Sequence, residues 1–251
     1  MNIELVLLFF FIAGIYASAG FGGGSSYLAA MAMFGLSMNV MRPAALLCNI
    51  VVVAGGSWIF RTNGLLDYRK TLPLCLASMP LAFLGGLTPL KEKTFFLLLG
   101  GSLVVSAVLM ALQNRQSSGD EDKSTVLPPP SSWLPAALGA GIGYLSGVVG
   151  IGGGIFLAPV LHLLRWDTPK RIAATASFFI LLNSIFGLVG QLWSGQGQFD
   201  AYFLVPLLAA VFLGGQLGSR LSAWQLRQSQ VRWVTALLIL YAGVNILMKY
   251  G

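Results

Sequence analysis

The chain has very little acid. Of its 251 residues eight are Asp or Glu, one is His and two are Cys, and charged residues of both signs make up 9%. Ordinary globular domains are about 25% charged. With 56% hydrophobic residues and a mean hydropathy of +0.80, the shortage excludes a water-soluble globular class and leaves a polytopic membrane protein. Cys48 and Cys75 both lie in apolar stretches, where a thiol packs as a small hydrophobe, so no disulfide framework or metal site follows from them. His162, beside Arg165 near the end of an apolar segment, reads as interfacial. No Gly-x-x-x-x-Gly-Lys-Ser/Thr run occurs, so the chain carries no P-loop and ATP is not its direct energy source. No cofactor motif is found either. The few acids avoid the apolar segments: Glu4 opens the first, Glu92, Asp120, Glu121 and Asp122 fall in loops, and Asp67, Asp167 and Asp200 sit at boundaries. A relay of intramembrane carboxylates is therefore missing. A proton-coupled cycle would need His162, a boundary carboxylate or a protonatable substrate.

What is present is apolar and glycine-rich. Eight apolar blocks follow one another at roughly 3–35, 44–60, 71–87, 94–112, 133–164, 172–193, 202–218 and 231–248, so the predicted fold is all-α. The net charge of +7 lies in short loops between them, where Lys and Arg set orientation, which argues against nucleic acid as a partner. The first segment has no basic leader and no small-residue cleavage site, and is expected to be retained. Between the fourth and fifth blocks a polar stretch ends in Pro128-Pro129-Pro130 and reads as a linker. The division is a first repeat at 1–115, a linker at 116–132 and a second repeat at 133–251. Three landmarks support the duplication. Gly20-Phe21-Gly22-Gly23-Gly24 recurs as Gly150-Ile151-Gly152-Gly153-Gly154, Arg42 before Ala44-Ala45 as Arg171 before Ala173-Ala174, and Phe83-Leu84-Gly85-Gly86 as Phe212-Leu213-Gly214-Gly215.

The first block of each half is too long for one span. About 33 helical residues would run about 50 Å against a hydrocarbon core of about 30 Å. Each is expected to break at its glycines, either as a tilted, unwound crossing or as a hairpin returning to its own side. Loop charge arbitrates: single crossings divide Lys and Arg 9 to 6 between the two sides, hairpins 11 to 4. The positive-inside rule favours hairpins. Each half then crosses an odd number of times, which makes the halves inverted repeats with both termini outside and the linker in the cytoplasm.

A helix restarting at Gly23-Gly24-Ser25-Ser26 would aim unpaired N–H groups and a positive dipole end into the membrane interior. That is an anion site, and paired Gly-interrupted segments are the sequence pointer to a transporter's binding site. The bland alternative is close helix packing through small residues. The predicted site comprises Gly22, Gly23, Gly24, Ser25, Ser26, Gly152, Gly153 and Gly154, with Asn49, Thr175, Ser177 and Asn183 as polar side chains inside apolar blocks. Each of these last is equally suited to interhelical hydrogen bonding. Ile155 and Phe156 replace the serines in the second copy. Arg42 and Arg171 are expected to snorkel to the lipid interface.

The paired glycine motifs, followed by Arg42-Pro43-Ala44-Ala45 and by Arg171-Ile172-Ala173-Ala174-Thr175-Ala176-Ser177, resemble the sulfite exporter TauE/SafE family of membrane transporters over the whole chain. The resemblance implies a multi-pass inner-membrane carrier, not an enzyme, for sulfite, sulfonates or related sulfur-containing anions. An anion channel and a non-transporting scaffold remain as alternatives, and a homo-oligomer stays open. An intramembrane serine protease built on Ser57 and His162 is disfavoured, since the two lie in different halves and lack an orienting group.

Overall fold

A computed structural model describes residues 3–18, 20–117, 133–198, 200–221 and 228–251. Residues 118–132, which make up nearly all of the expected linker, lie outside the described residues, as do Asp120, Glu121 and Asp122. Among the described residues there are ten helices and no strand: α1 (Ile3–Ser18), α2 (Gly24–Met33), α3 (Met38–Thr62), α4 (Tyr68–Leu87), α5 (Glu92–Ser117), α6 (Leu134–Val149), α7 (Gly154–Leu163), α8 (Pro169–Trp193), α9 (Ala201–Leu221) and α10 (Gln228–Tyr250). Helices α3, α4, α5, α8 and α9 are long and apolar enough to cross a membrane. The chain is a multi-pass membrane protein. Its outward faces carry Trp58, Leu76, Val205, Phe212 and Tyr241, all more than half exposed, as lipid contact requires.

Each long first block is two helices folded back on each other. After α1 the Phe21 N–H bonds Tyr16 O at 2.9 Å and the Gly20 N–H bonds Ala17 O at 3.1 Å, with Gly20 at φ 79°. This is the left-handed Schellman ending that glycine adopts without strain. α2 then starts from Gly23 (φ 83°) and α7 from Gly153 (φ 81°). The ring of Phe9 stacks on Tyr27 with centroids 4.7 Å apart, and Ile12 lies against Gly23. In one continuous helix Phe9 and Tyr27 would be about 27 Å apart. The unwound crossing is therefore excluded: α2 runs antiparallel to α1, back toward the end from which α1 came. Ile142 lies against Gly153 in the same way, folding α7 onto α6.

Small residues set the helix pairs. Along α6, Gly139, Gly143 and Gly147 press on the backbones of Leu74, Ser78 and Ala82 in α4, in parallel register. Gly214 and Gly218 of α9 press likewise on Phe10 and Gly14 of α1. The first helix of each half thus packs on the fourth helix of the other. α3 and α8 cross antiparallel, with Ser57 Oγ 3.0 Å from Ser177 Oγ at one end and Leu46 against Gly187 toward the other. α5 and α10 are also antiparallel: Phe96 stacks on Tyr250 at 4.0 Å and Gly100 meets Gly243. Lys70, in the first turn of α4, and Asp167, in the turn before α8, pair at 2.7 Å at one end of the bundle. At the other end Gln198 N–H bonds Asn39 O at 3.0 Å.

These contacts separate two kinds of helical glycine. A methyl at Gly147 would run into the Ala82 carbonyl, whereas one at Gly141 meets nothing within 4 Å. Gly147→Ala should lower stability by about 1–3 kcal/mol through overpacking, and Gly141→Ala should leave it unchanged or raise it by up to ~1 kcal/mol through helix propensity. Thermal unfolding of the two variants in one detergent checks the contrast.

Candidate functional site

The tips of the two hairpins meet beside the midpoint of α3. Asn49, fully buried, fills the junction: its Nδ2 donates to Ile151 O at 2.9 Å. A methyl at Gly22 would stand 2.5 Å from Asn49 Oδ1, and one at Gly152 would stand 2.6 Å from Nδ2. One at Gly24 would meet both Asn49 Nδ2 and Ile151 O. From α8, Ile180 occupies the corresponding space against Gly154, Gly22 and Gly152. The tips are glycine because α3 and α8 already fill the volume their side chains would need.

Beside the tips lies a small cavity. One wall is the first tip, Phe21 to Ser25, with Asn49 and Tyr16. Opposite are Met110 and Gln113 of α5, the tip residue Ile151, and Gly154 and Ile155 at the start of α7. Ala158, Pro159 and Ile180 complete an apolar surround. The first N–H groups of a helix lack intrahelical acceptors. Tyr27 N–H makes the first bond to Gly23 O in α2, and Phe156 N–H bonds Gly153 O in α7. The amides of Gly24 and Ser25 from one helix, and of Gly154 and Ile155 from another, therefore converge on one cavity, and both positive dipole ends with them. Among the described residues no charged side chain is in its wall.

Two buried polar atoms in that wall are unsatisfied. Among the described residues Asn49 Oδ1 has no partner, and Ser25 Oγ lies near the Tyr16 hydroxyl without completing a hydrogen bond. Ser26 turns away and bonds Tyr16 Oη at 2.7 Å. The other expected residues lie off the wall. Gly152 packs on Asn49 and Ser184, and Gly153 on Phe179, Ile142 and Ser146. Thr175 bonds Thr71 at 3.1 Å between α8 and α4. Asn183 Nδ2 donates to Ser78 Oγ at 3.0 Å and to Phe179 O at 2.8 Å. Ser177 bonds Ser57 and lines a second space of about 440 Å³ with Gly55, Gly56 and Gln216; Phe21 borders both spaces. Tyr16, Phe21 and Gln113 escaped the sequence reading. Tyr16 and Gln113 left a signal, as polar groups within or at the end of apolar blocks. Arg171 is exposed, but Arg42 does not snorkel: it is 1% exposed, enclosed by α6 and the turn after α8.

A multi-pass helical bundle whose two broken hairpins bring helix N-termini to a central cavity is the architecture of a membrane transporter. The sequence profile of the family described as "Sulfite exporter TauE/SafE" matches residues 5–246, and the chain belongs to that family. It is 36% identical over 249 residues to "Probable membrane transporter protein y4hK" of Sinorhizobium fredii, covering 98% of each chain. It is 32% identical over 99 residues to "Probable membrane transporter protein YunE" of Bacillus subtilis, covering 39% of this chain and 36% of that one. No solved structure matches.

The fit of Asn49 between the tips makes a coupled prediction. Gly22→Ala alone should destabilise by displacing the Asn49 amide, and Asn49→Ala in the same chain should recover about 1–2 kcal/mol of that loss. A double-mutant cycle on unfolding midpoints measures it, and additive effects would mean that Asn49 does not occupy the Gly22 space.

Proposed function

We propose that the protein exports a small sulfur-containing anion, sulfite or an organosulfonate, across the bacterial inner membrane by alternating access. The observation that carries this is the meeting of two helix N-termini at one cavity, whose described wall bears no charged side chain, with Ser25 Oγ buried there and completing no hydrogen bond. A sulfonate or sulfite offers several acceptor oxygens and no donor when fully ionised. The amides at Gly23, Gly24, Ser25 and Gly154, the Ser25 hydroxyl and the second Nδ2 hydrogen of Asn49 would hold it, with Gly22, Gly152 and Gly153 shaping the tips and Ser26 bracing Tyr16. Thr175, Ser177 and Asn183 join helices in this reading. The apolar side of the cavity accommodates the organic body of a sulfonate better than a second charge.

The machine is two inverted repeats, 1–115 and 133–251. In support, α1 and α6 begin 131 residues apart, α2 and α7 130, and α3 and α8 131. The corresponding pairs α3/α8 and α5/α10 run antiparallel, and the α1–α9 contact is mirrored by α6–α4. Because Arg42 is buried, loop Lys and Arg divide 11 to 3, with the end that bears Lys70 and Arg171 as the cytoplasmic one. Gln113, at the far end of α5 from the Lys93–Gly251 contact, belongs to that same end, so the cavity leans toward the cytoplasm. An inside-negative potential then favours expulsion by about 2.3 kcal/mol per unit charge per 100 mV.

Electrogenic uptake into proteoliposomes tests the reading with sulfite, sulfoacetate, taurine, sulfate and chloride. A saturable current is expected for sulfite or a sulfonate and none for chloride. Ser25→Ala and Asn49→Ala should each cut it about tenfold or more, the worth of one or two hydrogen bonds to a charged group, and Gly23→Leu should abolish it with insertion intact. Wild-type flux in all three variants would refute the site. A non-saturating chloride current would mean a channel.

A further inference from the structure

The cavity leaves unused the largest fully buried side chain, Arg42. A buried guanidinium is costly unless an opposite charge accompanies it, and intramembrane ionisable residues usually mark a substrate path. Among the described residues none accompanies this one. Among the described residues the ion pair formed is Lys70–Asp167, at the other end of the bundle. Asp200 is exposed and accepts from Tyr202 N–H, and Glu4 and Glu92 are exposed. The contacts of Arg42 are all neutral: Nη1 donates to Gln196 Oε1 at 3.2 Å and Nη2 to Gly147 O at 3.4 Å, while Nε has no acceptor. Gly147 O is shared with Gln191 Nε2 at 3.5 Å. Gln196 is itself tethered, its Nε2 donating to Leu87 O at 3.1 Å, so one neutral amide oxygen from the turn after α8 stands where a counter-ion is expected.

The position is tied to the second hairpin. Arg42 Cα lies 3.2 Å from where a Gly150 side chain would begin, at the residue in which α6 ends (φ 84°). At the matching place by Gly20 stands the methyl of Ala173. Among the described residues the scaffold therefore carries a fully buried cation at one end only, across the glycine tips from the cavity.

We infer that Arg42 is a second anion contact, at which one oxyanion of the sulfite or sulfonate type replaces the Gln196 amide oxygen and gains the guanidinium charge and the free Nε–H. The ligand class, and only that, rests on the export reading. Guanidinium is matched to oxyanions in both charge and donor geometry, which an ammonium is not.

The test uses the full chain purified in detergent, with unfolding midpoints titrated with sulfite and methanesulfonate against chloride at constant ionic strength. Wild type should show a saturable rise with at least one of the two oxyanions, a smaller rise should remain in Ser25→Ala/Asn49→Ala, where the cavity's side-chain contacts are removed, and adding Arg42→Gln to that pair should abolish it. Adding Arg42→Lys instead should keep the rise with half-saturation shifted about tenfold upward, the equivalent of one hydrogen bond. A rise that survives Arg42→Gln in that background, or that is already lost in the background alone, overturns the assignment, as does the absence of a rise in wild type. Should Arg42→Gln fail to fold, the lysine variant decides, and unchanged half-saturation overturns it. Flux measured on the same preparations separates the two readings. Transport without a rise removes the Arg42 site alone, and a rise without transport of any anion removes the exporter alone.

Discussion

Hydrocarbon offers no partner to a backbone amide, and the rest of this structure follows from how that is managed where two helices stop in mid-bundle. A helix end at that depth must be covered by protein or face a polar cavity. Here both occur. α1 finishes with the two Schellman bonds at Gly20 and Phe21, so its last carbonyls are satisfied internally, and Ile151 O, at the opposite tip, is taken by Asn49. The starts of α2 and α7 have no such cover, and the cavity lies where their amides are free. Satisfying the ends of the first helices while leaving the starts of the second ones open is what turns a chain reversal into a region of positive potential.

Glycine serves two separate needs in this arrangement. At Gly23 and Gly153 the need is dihedral: both are left-handed immediately before a helix, and a side chain there is strained whatever the space. At Gly139, Gly143, Gly147, Gly214 and Gly218 the dihedrals are ordinary, and the need is the distance between backbones. The packing glycines lie at the contacts that hold the hairpins from outside: on α6, the first helix of the second hairpin, against α4, and on α9 against α1. Close backbone contact there keeps each hairpin on the opposite half of the bundle, so that both tips reach α3 and α8 at their crossing.

Length and glycine position carried most of the fold into the sequence. A 33-residue apolar block cannot cross once as a straight helix, and loop charge already preferred the hairpin that the Phe9–Tyr27 stack now establishes. The candidate site was less legible, because polarity along an apolar helix does not say which face is which. Asn49 and Asn183 looked alike; Asn49 lies where α3 passes the tips, whereas Asn183 turns toward α4 and bonds Ser78. The two copies also matched in sequence at an offset that set Asn49 opposite Phe178, while helix starts displaced by 131 set it opposite Ile180, the residue that occupies the equivalent gap. Arg42 misled for a related reason. Its place near a helix start fits snorkelling, but the side chain escapes to lipid only if its face points outward, and α6 and the turn after α8 enclose it.

The similarity of the two halves stops at the cavity, and the differences share a direction. Ser25 and Ser26 face Ile155 and Phe156 across the tips, Asn49 faces Ile180, and Arg42 corresponds to Ala173. Every polar member belongs to the first half. Backbone shape and helix dipoles are common to both hairpins, so they alone would hold an anion equally well from either end. Side-chain donors are not shared, and an anion moving between the tips would exchange one environment for another of different strength. On the proposed alternating-access reading, a duplicated frame would make the two facing states nearly equal in backbone energy; the unequal side chains would then set the affinity of each state, which is the quantity that separates uptake from release.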